Sequence, residues 1–139
     1  MGDGSVSPMH RSRIGVVLID HPPESYAAAA AFWTTARGSD REATGSTTPE
    51  DRFEGLDSLP GGVMIAMQRL DDGRPRVHLD IETDDVDAEV DRLVAAGATV
   101  AERHDEEHYA ILTDPGGLIF CVVPVQSREG FAEHAVVWE

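Results

Sequence analysis

The side chains with the most chemical potential sit on one short segment, RVHLDIET, residues 76–83. His78, Asp80 and Glu82 alternate with Val77, Leu79 and Ile81, the period of a strand with one polar and one apolar face. An imidazole and two carboxylates on one face suit proton transfer, because burial raises a carboxyl pKa toward neutrality. The same face suits recognition of a polar ligand. Cys121, the single cysteine, lies in the apolar run LIFCVV. It reads as a small buried strand residue, and would act as a nucleophile only beside a base or a cation. His104 and His108 have the HxxxH spacing that binds zinc on a helix, but RHDEEH reads as a polar turn, not a helix.

The elements that must position these residues occur twice. IGVVLI (14–19) is an apolar, β-branched run, the mark of a buried strand. DHPPE then turns the chain, with the two prolines at a helix start and Glu24 near its positive end. ESYAAAAAFWTTAR is helix-forming and stops at Gly38; Phe32 and Trp33 pack it on its sheet. In the second copy, strand 76–83 runs into a helix capped by Thr83 or Asp84. Val86, Val90, Leu93 and Val94 form its apolar stripe, and Gly97 ends it. ATVAER, HYAILT and LIFCVVPV follow as three strands separated by HDEE and DPGG turns. After the first helix, residues 38–53 are polar and loop-rich, and LPGGVMIAMQRL gives a turn and a strand. The reading is an α+β fold of two βαβββ modules, about 13–70 and 76–125, joined by DDGRP in one domain spanning 13–125. Residues 1–12 form a disordered lead, and 126–139 a C-terminal extension that serves as an added strand or a dimer contact.

Composition narrows the function classes. The 139 residues include 11 basic and 26 acidic side chains, a net charge of −15. No basic patch is available to neutralise phosphates, which excludes nucleic acid as a partner. No run approaches the roughly 18 apolar residues of a membrane helix, and MGDGSVSPMHRSR lacks the apolar core of a secretion signal. With one cysteine, the expected compartment is the reducing cytoplasm. The acidity favours solubility, and would also steer a cationic ligand.

AAFW in the first helix, VHLDIETDDVDAEVDRLVAAGA and LTDPGGLIFCVV together resemble the vicinal oxygen chelate superfamily: glyoxalase I, bleomycin-resistance proteins and extradiol dioxygenases, in the branch of glyoxalase-like domains. The resemblance implies that each module curls into a half-open barrel and that the pair encloses one cavity. In catalytic members a divalent metal sits there, held by His, Glu or Gln from the first and last strands of both modules. Carried onto this sequence, those positions fall on Gly15, on Gln68 (or Ala66), on His78 and on Cys121. None is a carboxylate, so the expectation is a cavity without a metal or other cofactor. Asp80 and Glu82 share the face of His78, but strand neighbours two apart are separated by about 6–7 Å.

The expected function is binding of a small organic molecule, cationic if the acidity matters, by Gln68, His78, Asp80, Glu82 and Cys121. Two alternatives stay open: a metal-dependent lyase, isomerase or dioxygenase, and a metal-free enzyme using His78 with Asp80, Glu82 or Cys121. Curved sheets also leave apolar faces that a second copy covers, which makes a homodimer the expected assembly. Light scattering at micromolar concentration should therefore give twice the 15.0 kDa chain mass; a monomer at every concentration would contradict this.

Overall fold

The structure, a computed structural model, describes residues 9–37 and 53–139. The first module contains β1 (His10–His21), α1 (Pro23–Ala36), β2 (Phe53–Leu59) and β3 (Val63–Arg69). The second contains β4 (Arg76–Thr83), α2 (Val86–Ala95), β5 (Thr99–His104), β6 (Tyr109–Thr113) and β7 (Ile119–Pro124). A short helix α3 (Arg128–His134) and strand β8 (Val136–Trp138) end the chain. The strands form one sheet in the order β2-β3-β1-β4-β7-β6-β5, with β8 added to β1.

Both modules use the same internal pairing. The first strand runs parallel to the last, β1 with β3 and β4 with β7, and the last runs antiparallel to its predecessor. The modules join where β1 and β4 pair antiparallel. The second module is a complete βαβββ unit. In the first, a strand matching β5 would fall in 38–52, outside the described residues, as does nearly all of the segment expected to be loop-rich.

The ends of the domain differ from the sequence reading. β1 begins at His10, inside the expected disordered lead, and His10–Ser12 pair with Val136–Trp138 of β8. The extension is thus an added strand. It is fastened by a buried polar cluster: His10 Nε2 lies 2.8 Å from Glu89 Oε1, Arg92 donates to the same carboxylate, and the Trp138 indole N–H donates to Ser12 Oγ. The Arg92 guanidinium also lies over the Trp138 ring. The cap of α2 is Asp85, one residue later than expected; its side chain accepts from the Ala88 N–H, and Thr83 Oγ1 accepts from the Asp85 N–H.

Period-two alternation separates the two faces of the sheet. On the outer face, Val90 of α2 packs on Ala110, Leu112 and Val122, with Phe120 beside them. Leu79 lies opposite Phe120 in the β4–β7 register and shares that face. α1 covers the first module loosely: it buries no residue fully, and Phe32 is exposed, with its ring edge-on to Trp33. The packing role expected of Phe32 is therefore not the one it has. On the inner face Val16, Leu18 and Ala66 form a second core with Met64.

The β1–β4 register shifts between Ile14 and Val16, so Gly15 is a bulge. A bulge moves the following residues to the opposite face. Before it, Arg13 lies opposite Glu82; after it, Val16, Leu18 and Asp20 lie opposite Asp80, His78 and Arg76. A side chain at Gly15 would collide with the Glu82 carboxylate. Gly15→Ala should therefore destabilise the protein by about 1–3 kcal/mol through overpacking, measured as a lower urea midpoint. An unchanged midpoint would mean that the Glu82 carboxylate is not held against the bulge.

A candidate ligand cavity on the inner face

The inner face carries a half-open cavity of about 500 Å³. Phe53, Leu70, Ile111, Ile119 and Val123 give it apolar walls, and Gln68, Arg76, His78, Asp80, Glu102, Tyr109 and Cys121 give it polar groups. Register explains the convergence. Gln68 lies across from Asp20, Arg76 from Asp20 on the other side, and Asp80 directly across from Cys121. A larger hollow of about 660 Å³ lies around Asp84, Asp85, Asp87 and Arg103; His78, Asp80 and Cys121 do not line it.

Of the five residues that the sequence singled out, Gln68, His78, Asp80 and Cys121 line this one cavity. Glu82 does not. Although it shares the strand parity of His78, it is fully buried near the bulge. Its carboxylate accepts from Arg13 Nε at 2.7 Å, from the backbone N–H of Gln126 at 2.7 Å and of Ser127 at 3.0 Å, and from Ser127 Oγ at 2.8 Å. Burial alone would raise its pKa, but these four donors together hold it below the usual carboxylate range. Glu82 is thus a structural anion that ties the start of the C-terminal extension to β1. Arg13 extends the tie by donating to the carbonyl of Gly61.

Behind the cavity wall lies a residue that the sequence reading took for part of a turn. Asp20 is still in β1 and is fully buried. Its Oδ2 accepts from His78 Nδ1 at 2.6 Å and from Arg76 Nε at 3.2 Å, while its Oδ1 is buried without a hydrogen bond. On the other side of the imidazole, Asp80 Oδ1 lies 3.3 Å from Nε2. That contact is within ion-pair range but not aligned as a hydrogen bond, and Asp80 Oδ1 has no hydrogen-bond partner. Burial pushes the His78 pKa down, but the opposing pull of Asp20, then of Asp80 and Cys121, raises it to about 11. His78 is therefore a buried imidazolium held by carboxylates from both modules. His104 and His108 do not converge: the His104 ring stacks on Tyr109, and His108 is in the turn with φ 61°.

Residues 17–123 match the glyoxalase-like domain family. The chain belongs to that family. No curated protein matches it. Similar solved structures include a hypothetical protein of Bacillus halodurans (10% identity, 84% of this chain and 96% of that one, TM-score 0.58). A Streptomyces coelicolor methylmalonyl-CoA epimerase in complex with 2-nitronate-propionyl-CoA is 18% identical over 83% of this chain and 98% of that one, with TM-score 0.53. A Legionella pneumophila protein described as an NAD-dependent benzaldehyde dehydrogenase is 12% identical over 86% and 100%, with TM-score 0.56. At these identities the likeness is one of fold.

Among the described residues, the places that the resemblance assigns to metal ligands carry no carboxylate. At the positions that the resemblance assigns to ligands, Gly15 has no side chain and faces the Glu82 carboxylate, and Ala66 is a core methyl. Of the positions so assigned, Gln68, His78 and Cys121 carry donor atoms into the cavity, and none of them is a carboxylate.

The Asp20–His78 pair sets a pH dependence. A histidine whose folded pKa lies above its unfolded value contributes stability that is complete below about pH 6.5 and falls as pH rises through about 11. Denaturant midpoints should thus decline steadily across the alkaline range. Asp20→Asn should cost about 3–5 kcal/mol near neutrality by unpairing a buried ion. A stability that is flat through that range, or indifferent to Asp20→Asn, would refute the pairing.

Proposed function

We propose that this protein binds a small organic molecule in the inner cavity, its apolar body against Phe53, Leu70, Ile111 and Ile119 and its polar group at Gln68, His78, Asp80 and Cys121. The observation that carries the reading is the partition of one half-open volume into an apolar wall and a convergent polar end, the usual make-up of a ligand site. Glu82 has no part in it, since its carboxylate is saturated within the fold. The charge near the polar end supports a cationic ligand. His78 and Arg76 are matched by Asp20 and Asp80, and Glu102 leaves the lining with an excess of negative charge. The net charge of −15 adds long-range attraction for a cation. The single cysteine, unpaired in the chain, supports a reducing cytoplasmic setting.

Ligand-observed NMR with a panel of small aromatic cations and their neutral and anionic analogues tests the reading. Cations should show transfer of saturation from the protein, neutral analogues less, and anions least. Ile111→Trp, which fills the cavity from the β6 wall, should abolish the effect while circular dichroism stays unchanged. Binding that ignores Ile111→Trp, or no binding across the panel, would reject the cavity as the site.

A further inference from the structure

A cysteine becomes a nucleophile only beside a base or a cation, and Cys121 has one of each. Its Sγ, one carboxylate oxygen of Asp80 and one ring nitrogen of His78 all lie within 4.8 Å of one another. The placement follows from β4 and β7 running side by side, with Asp80 directly opposite Cys121 and His78 two residues along on the same face. The cysteine is half-buried and lines the cavity, so a molecule in that volume can reach the sulfur. The ring of His78 is an independent sign of a ligand. Its side chain is only 6% exposed, and Nδ1 is committed to Asp20. Nε2 meets Asp80 Oδ1 at 3.3 Å without the alignment of a hydrogen bond. Among the described residues, no acceptor is aligned with the Nε2 N–H, although His78 lines the cavity. A buried cationic N–H in that state is costly until an oxygen meets it.

We propose that Cys121 is a covalent site for α,β-unsaturated carbonyl compounds, with Asp80 as the acceptor of the thiol proton, His78 as the donor to the carbonyl oxygen, and Asp20 as the residue that positions His78. The inference rests on the cavity reading for the volume that receives the molecule, and not for the charge of that molecule. The Cys121 S–H bond breaks as its proton passes to Asp80, and a sulfur electron pair forms a C–S bond at the β-carbon. The C=C π pair shifts toward the carbonyl, whose oxygen takes up negative charge as an enolate and is held by the His78 N–H. A preorganised donor at the atom where charge develops is the arrangement that lowers such a barrier. The proton on Asp80 then goes to the α-carbon, and the C=O bond re-forms. Thiol and enone become a thioether ketone. Nothing is oxidised or reduced, no group leaves, and His78 stays an imidazolium throughout. Phe53, Leu70, Ile111 and Ile119 receive the hydrocarbon part.

The test treats the full, reduced chain with phenyl vinyl ketone. Propiophenone, its saturated analogue, serves as a competitor that cannot form the bond. The intact mass should rise by one probe per chain, and peptide mapping should place it on Cys121. Adduct formation should be about 100-fold faster than with a free cysteine derivative at the same pH, the contribution expected of a positioned acid and base. Propiophenone should protect the cysteine, and Ile111→Trp should remove most of the acceleration. Cys121→Ser should leave the mass unchanged. Asp80→Asn should lower the maximal rate by about 100-fold with the half-saturating concentration little changed. Asp20→Asn should show the same split, which a merely structural residue would not give. Should Asp20→Asn fail to fold, the rate and its protection in the unmodified chain still decide the matter. A rate no greater than that of the free thiol, with propiophenone bound in the cavity, would overturn this inference and leave the cavity reading intact. Rapid modification of Cys121 that ignores both propiophenone and Ile111→Trp would overturn the two together.

Discussion

A carboxylate on β1 and an imidazole on β4, both buried and 2.6 Å apart, set the terms for the inner face. β1 and β4 belong to different modules, so this contact spans the seam on which the two half-sheets meet. A buried carboxylate is costly unless a positive charge meets it. His78 supplies that charge, and Arg76 reinforces it from the cavity edge. Once Nδ1 is committed to Asp20, the ring has one orientation, and Nε2 must face Asp80, Cys121 and the cavity. The chemistry available to the cavity thus follows from a contact behind its wall.

The polar face of β4 performs two separate tasks because of the bulge at Gly15. Beyond the bulge, β1 presents Asp20 to His78, and the strand face remains a cavity wall. Before it, β1 presents Arg13 to Glu82, and the two charges close on each other with Ser127. A glycine is needed at the switch because the Glu82 carboxylate occupies the space a side chain would fill. The result is an ion pair that fastens the chain after β7 and a second ion pair that leaves an imidazole edge open to ligand.

Much of this was legible in the sequence. The alternation of 77–82 places His78 on the inner face and Leu79 on the outer one, because a half-buried strand has only those two options. The second module is the more regular copy, with clean strand periods and capped turns, and its elements fall where the pattern puts them. Gln68, Asp80 and Cys121 join His78 in one cavity because strand parity survives ladder pairing. Three features were not legible. Asp20 reads as part of the DHPP turn, since two prolines obscure that β1 continues to His21, and its partner lies 58 residues away. Glu82 shares the right parity, but its fate depends on a bulge in another strand and on a tail that matches neither module. The proximity of Asp80 to His78 is a property of side-chain tips: the backbone spacing of about 6–7 Å along a strand hides a 3.3 Å contact.

Family membership supplies the cavity, and the chain's own residues decide what it recognises. Of the places where the resembling enzymes carry ligands, Gly15 meets the Glu82 carboxylate, while Gln68, His78 and Cys121 face the cavity, with the His78 ring oriented by Asp20. The whole reading turns on the protonation and orientation of one ring, which nitrogen NMR reports directly. In chelator-treated protein, the ¹⁵N shifts of the His78 ring at about pH 8, well above the ordinary histidine pKa, should show both nitrogens protonated, with the Nδ1 proton shifted downfield by its hydrogen bond to Asp20. A neutral ring at that pH, in either tautomer, would contradict the account.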